Sequence, residues 1–188
     1  AEPDYVVTAS ELVPNDPDFD LLWGMRNTGQ FGGLPGADIG APEAWERGVG
    51  TRNVTVAVID TGVDYTHPDL IDNLWVNPGE IPENGVDDDG NGYVDDVYGY
   101  DFYNGQGSPM DDNGHGTHVA GTIAAVHDNG QGVAGASPNA KIMALKFLGK
   151  YGSGPTASAV AALDYAVAHG AKISNNSWGG GGFSQSLS

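Results

Sequence analysis

The sequence predicts an α/β fold, a doubly wound parallel sheet, and three observations carry that expectation. Short runs of β-branched and apolar residues end abruptly on polar ones, and stretches with helical spacing alternate with them. Thirty glycines in 188 residues suit tight turns and close backbone approaches better than a helical bundle. The length is enough for one domain of moderate size.

Taken in order, residues 1–40 mix Pro14, Pro17 and Pro35 with glycines and acids, which predicts an extended lead-in and no core element. A short helix is expected over Ala41–Arg47, with Pro42 in its first turn and Gly48 behind it. Val54–Asp60 is apolar almost throughout, as a strand buried on both faces would be. Residues 77–114 are rich in Asp, Asn and Gly and predict loops, with a short strand around Val97–Phe102. Helical spacing returns over His115–Val126, where Val119, Ile123 and Val126 share a face. A strand follows at Lys141–Phe147, then a helix over Thr156–His169 with Thr156 or Ser158 as cap and Gly170 past its end. The last strand, Ala171–Ser177, runs into the glycines at 179–182. In such a sheet, chemistry collects at the carboxyl ends of the strands.

Charge narrows the function classes. Twenty-five acidic side chains against seven basic ones give a net charge of −18, so phosphate-rich partners, nucleic acid or an anionic membrane, would be repelled. No run is long and apolar enough to span a bilayer. The chain has no cysteine, which excludes disulfides and thiolate metal sites and leaves bound calcium as the obvious staple for a secreted protein.

Two strand-end or helix-start residues invite a chemical reading. Asp60 closes the first core strand before Thr61-Gly62. It is either a turn acid or a carboxylate facing the crevice. His115 starts a helix whose Gly116, Ala120 and Gly121 would let it approach the sheet closely, as a cap, a structural residue or a catalytic base. Catalytic zinc at His115 and His118 is not expected: their i, i+3 spacing could put both on one helical face, but the helical zinc-protease pattern needs i, i+4 and a glutamate.

Together these segments resemble a known family. Val58-Ile-Asp60-Thr-Gly-Val-Asp-Tyr-Thr-His-Pro-Asp69 resembles the aspartate motif of the subtilisin-like serine proteases. Asn113-Gly-His115-Gly-Thr-His-Val-Ala-Gly resembles their histidine motif, and Asn176-Ser177-Trp-Gly-Gly their substrate-binding strand. The resemblance, to the thermitase-like branch in particular, implies a secreted serine endopeptidase with an Asp-His-Ser triad. His115 would be the base and Asp60 its orienting acid. Ser177, Trp178 and Gly179 on one side, and Gly152, Ser153 and Gly154 on the other, would pair with the backbone of protein or peptide substrates. His67 and His118 match the motifs as structural residues.

Calcium is expected at two places. Asp87-x-Asp89-x-Asn91-Gly92 spaces hard oxygens as the start of an EF-hand loop does, with the Tyr93 carbonyl next in order. Position twelve is Tyr98, not glutamate, so Asp95 or Asp96 would have to close a shorter loop; a solvated acidic turn is the alternative. The second site comes from the thermitase-like resemblance, which implies Asp16, Asp69, Val126, Asn129, Gln131 and Val133 as ligands.

One departure from the family matters. Its nucleophilic serine and oxyanion asparagine stand well beyond the Ser177 strand, and Ser184, Ser186 and Ser188 lack the motif that the nucleophile requires. The expectation is therefore an incomplete catalytic domain over residues 41–188, inactive alone and completed by a second chain. Ahead of it would lie an arm at 10–40 and a propeptide tail at 1–9, removed from the zymogen near Ala9 or Ser10. A noncatalytic calcium-dependent peptide-binding module, or an inactive fragment, is the competing reading.

Overall fold

The computed structural model describes residues 12–180 and 185–186. Four parallel strands form its sheet: β1 (Thr55–Asp60), β2 (Gly99–Asp101), β3 (Lys141–Lys146) and β4 (Ile173–Asn175), in the order β2-β3-β1-β4. The β1–β3 ladder pairs Thr55 with Lys141 at one end and Asp60 with Lys146 at the other. Three helices accompany the sheet: α1 (Ala41–Trp45), α2 (His115–Ala124) and α3 (Thr156–Ala168).

Alternation along the strands explains why the sheet is wound on both faces. Val56, Val58, Ile142 and Ala144 point to one side and pack with Ala120 and Ala124 of α2. Ala57, Ile59, Met143 and Leu145 point to the other, against Ala159, Ala162, Tyr165 and Ala166 of α3. Both faces of β1 and β3 are therefore dry, which is what their uninterrupted apolar runs require. The chain leaves β1 toward β2, returns through β3 and crosses to β4 on the far side. The strand order thus changes direction at β1, with Asp60 at its carboxyl end.

The elements match the expected ones within a residue or two, with two corrections. α3 starts behind Pro155, and neither Thr156 nor Ser158 caps it; the Ser158 hydroxyl donates instead to the Phe102 carbonyl. The arm is not a coreless lead-in. Phe19 (2% exposed) and Met25 are buried with Ala41, Trp45 and Ala134 in a small core of their own. Phe19, Leu22 and Met25 recur every third residue, so the turns between them present one apolar edge to Trp45. The predicted propeptide tail, residues 1–9, and its cleavage point lie outside the described residues.

At the other end of the sheet, β4 pairs with β1 and has no second neighbour among the described residues, leaving Ile173 54% exposed.

Leu145, buried between α3 and the sheet, should be costly to truncate. Leu145→Ala is expected to lose about 2–5 kcal/mol of unfolding free energy. Val167→Ala, on the exposed side of α3, should change it by no more than about 0.5 kcal/mol. Urea denaturation of the two variants measures the contrast.

Candidate active site

Asp60 and His115 meet. The His115 Nδ1 lies 2.7 Å from Asp60 Oδ1, with the histidine side chain 48% exposed and the aspartate fully buried. A carboxylate only accepts, so Nδ1 donates and the neutral imidazole leaves Nε2 as a proton acceptor on the open side. Asp60 Oδ1 also accepts the Thr61 amide at 2.7 Å, while Oδ2 is buried with no partner among the described residues. The pair can therefore take a proton from a group presented at Nε2 and hold the imidazolium that results.

Local packing explains why the two residues touch. α2 rests directly on the end of β1: a β-carbon at Gly116 would lie 2.1 Å from the Gly62 carbonyl oxygen and 3.1 Å from Asp60 Cβ. Gly62 is equally confined, with φ at +105° and the Pro109 carbonyl 2.4 Å from where its own β-carbon would stand.

The N-terminus of α2 has no capping side chain at Gly114, and the neighbouring loops supply its partners. Thr61 Oγ1 accepts the Gly116 amide and donates to Asp111 Oδ1, both at 2.9 Å. Asp111 in turn accepts the amides of Asn113, Gly114 and Thr117 and the Thr117 hydroxyl. Sequence reasoning missed Asp111; an acid four residues ahead of the helix start was the available signal.

The expected substrate segments lie nearby in the chain path. Ser153 accepts the Gly149 amide at 3.0 Å, and Gly154 sits where a β-carbon would meet the Phe147 carbonyl oxygen. Asn113 Nδ2 donates to the Lys150 carbonyl, fastening the loop before His115 to the turn that carries Gly152. Beyond β4, Ser177 and Gly179 are exposed. Trp178 packs edge-on to Phe147 at 4.8 Å, with its indole N–H buried and unpartnered among the described residues.

Of the first loop expected to bind calcium, the geometry assembles Asp87 and Asp89 with Glu80, their carboxylate oxygens within 4.8 Å of one another. Glu80 was not foreseen. It lies outside the loop, and only the turn at Gly79, whose β-carbon would stand 2.6 Å from Asp89 Cβ, brings it in. Asn91 directs its amide nitrogen to Asp89 and Asp96, leaving its oxygen to accept the Tyr93 amide. Asp96 is buried and accepts from Asn77, Asn91 and the Tyr165 hydroxyl. Burial first, then this hydrogen bond and the Asp96 charge, push the Tyr165 phenol pKa up.

The second predicted set also converges. Asp69 accepts Asn129 Nδ2 at 2.8 Å and the Val133 amide at 3.0 Å. Asp16 reaches from the arm to accept the amides of Asp128 and Asn129. Among the described residues, the carbonyls of Val126, Gln131 and Val133 accept no hydrogen bond. All donors in both sets are hard oxygens, which suits calcium. His67 is structural here, its Nδ1 accepting the Asp69 amide.

Comparison with known proteins places this geometry in context. The model of the Subtilase family matches residues 51–188. Subtilisin-like protease 1 of Plasmodium vivax is 46% identical over 124 residues, 65% of this chain and 20% of that protein. Thermitase of Thermoactinomyces vulgaris is 35% identical over 168 residues, 89% of this chain and 48% of its own length. Among solved structures, the Aeromonas sobria serine protease, in complex with its chaperone, superposes with a TM-score of 0.68. It is 29% identical, over 89% of this chain and 26% of that one. The chain thus spans less than half the length of these relatives.

Acid should weaken this site through Asp111. Burial pushes its carboxyl up, but hydrogen bonds from Thr117, Gly114 and Asn113 outweigh it and hold the pKa below the ordinary 3.8. The group binds its proton more weakly folded than unfolded. Its stabilisation is therefore present above the unfolded pKa and lost as pH falls through the folded value. Asp111→Asn is expected to cost about 1–3 kcal/mol at neutral pH and to flatten the loss of stability below about pH 4, both read by urea denaturation.

Proposed function

The chain belongs to the subtilase family, and from that membership we propose that it carries the base and the orienting acid of a serine endopeptidase. The observation that carries the reading is the 2.7 Å contact of His115 Nδ1 with buried Asp60, which leaves Nε2 without a hydrogen-bond partner among the described residues. In this reading His115 removes the proton of a serine hydroxyl as it attacks the scissile carbonyl, then delivers it to the leaving amine. Asp60 keeps the imidazole in the required tautomer and stabilises the imidazolium.

Substrate is a polypeptide held mainly by its backbone. Ser177, Trp178 and Gly179 form one edge of the cleft and Gly152, Ser153 and Gly154 the other, adding the substrate as a strand between them. The exposure of Ser177 and Gly179 supports this. Among the described residues no hydroxyl is hydrogen-bonded to His115. In this reading the nucleophilic serine and the oxyanion donor come from polypeptide outside the described residues, and hydrolysis requires them. That polypeptide, a second chain or another part of a longer one, also covers the open edge of β4.

Calcium holds the scaffold in this reading. Glu80, Asp87, Asp89, Asn91 and the Tyr93 carbonyl take one ion, with Asp96 anchoring the loop from behind. Asp16, Asp69, Asn129 and the carbonyls of Val126, Gln131 and Val133 take another. Calcium supplies charge neutralisation to these loops and no step of the hydrolysis. We place the protein outside the cell. A peptidase that reads backbone must be kept from its host's own proteins, and extracellular calcium is abundant enough to fill even weak sites.

Two measurements test these assignments. In the complete protein, His115→Ala should lower kcat for peptide hydrolysis by about 10⁶-fold and Asp60→Asn by about 10⁴-fold, the scale of losing the base and of misdirecting its tautomer in a serine-protease triad. Retained hydrolysis in His115→Ala would refute the triad. Chelation should lower the melting temperature, since saturation at about 100 times Kd contributes about 2.7 kcal/mol per site. Glu80→Gln should remove part of that calcium dependence, and a melting curve indifferent to EDTA rules out both ions.

A further inference from the structure

We propose that Lys146 is a positioning residue for the hydrolytic site, its buried ammonium fixing the Asp60 and His115 loops against each other. The side chain lies at the carboxyl end of β3, directly across the ladder from Asp60, and the residue is 1% exposed. An ammonium in such a place is costly unless every proton is used. Here all three are: Nζ donates to the Thr61 carbonyl at 2.6 Å, to Asp112 Oδ1 at 2.6 Å and to the Leu148 carbonyl at 2.9 Å.

Those three acceptors belong to three different parts of the site. Thr61 follows Asp60, and its hydroxyl holds the Gly116 amide of α2. Asp112 lies three residues before His115, in the loop that sets where α2 begins. Leu148 opens the turn that leads to Gly152–Gly154, and its amide, with that of Phe147, returns to the Asp60 carbonyl. One point charge therefore ties the aspartate loop, the histidine loop and the substrate strand to a single spot at the end of β3.

An apolar side chain of the same length would fill this space without the desolvation cost, so packing alone does not account for a lysine. A guanidinium would not replace it either, because three acceptors around one atom suit a tetrahedral ammonium and not a planar fork. The turn at 149–153 closes on itself through Gly149 to Ser153 and Gly152 to Gly149. Loss of the ammonium therefore displaces the acid and base more than the substrate strand. The signature is a change in kcat with KM largely preserved.

This inference rests on the peptidase reading above, and the experiment separates the two. Peptide hydrolysis is measured in the complete protein, well below the melting temperature of each variant, with the Nδ1 proton resonance of the His115–Asp60 hydrogen bond followed by NMR. Lys146→Met is expected to lower kcat about 10–100-fold, the scale of an ångström's misplacement, and to shift that resonance, while KM changes less than about 3-fold. A kcat within about 2-fold of the parent with the resonance unmoved overturns the proposal, whatever the melting temperature does. Should Lys146→Met fail to fold, Asp112 decides, since its side chain is half exposed. Asp112→Ala should lower kcat about 3–10-fold and Asp112→Asn, which keeps the acceptor, should restore most of it. An unchanged kcat in Asp112→Ala counts against the clamp. If His115→Ala abolishes hydrolysis while the Lys146 and Asp112 variants leave it intact, the clamp alone is wrong. If His115→Ala remains active, the peptidase reading falls and the clamp with it.

Discussion

The candidate site depends on how closely α2 can lie on the end of β1. At Gly116 the helix backbone comes within a β-carbon's reach of the Gly62 carbonyl and of the Asp60 side chain. Any larger residue there would lift the helix, and His115 one position earlier would leave Asp60. The small residues of α2 permit that approach, and Thr61 and Asp111 complete it by accepting the helix's first amides. Two elements far apart in sequence are thereby fixed to one another by backbone contact, with few rotatable bonds between the acid and the base. Such rigidity is what positions a general base without reorganisation at the moment of reaction.

How much of this was legible in the sequence follows from what each element needed. β1 and β3 are buried on both faces, so their apolar runs had no polar alternation to mislead, and α2 and α3 carried their small and apolar residues at helical spacing. The cap of α3 was misread because Ser158 has a carbonyl partner from β2's end of the chain, which no local pattern reveals. The arm was misread because its core residues, Phe19 and Met25, find their partner Trp45 only after the chain has folded back. Asp60 and His115 were each ambiguous alone and became specific as members of motifs. Glu80 had no motif. It enters the acidic cluster through a turn, and sequence spacing held no trace of that approach.

The acidity of the chain also reads differently in three dimensions. The carboxylates of Asp16, Asp69, Glu80, Asp87 and Asp111 each accept backbone amides, Asp16 and Asp69 from segments remote in sequence. They act as substitutes for regular secondary structure in loops that have none, satisfying N–H groups that would otherwise be stranded. A net charge of −18 is thus partly a consequence of how much irregular backbone this sheet must support.

Tyr93 sits in the acidic loop, yet its ring stacks edge-on against Tyr100, Phe102 and Tyr165, beneath α3. Tyr165 in turn donates its hydroxyl to Asp96, a few residues farther along the same loop. Loop and helix are therefore joined twice, once by rings and once by a buried hydrogen bond. The loop cannot melt as a separate appendage, because opening it would draw a ring from the packed face of the sheet. It belongs to the cooperative unit that unfolds with β2, β3 and α3.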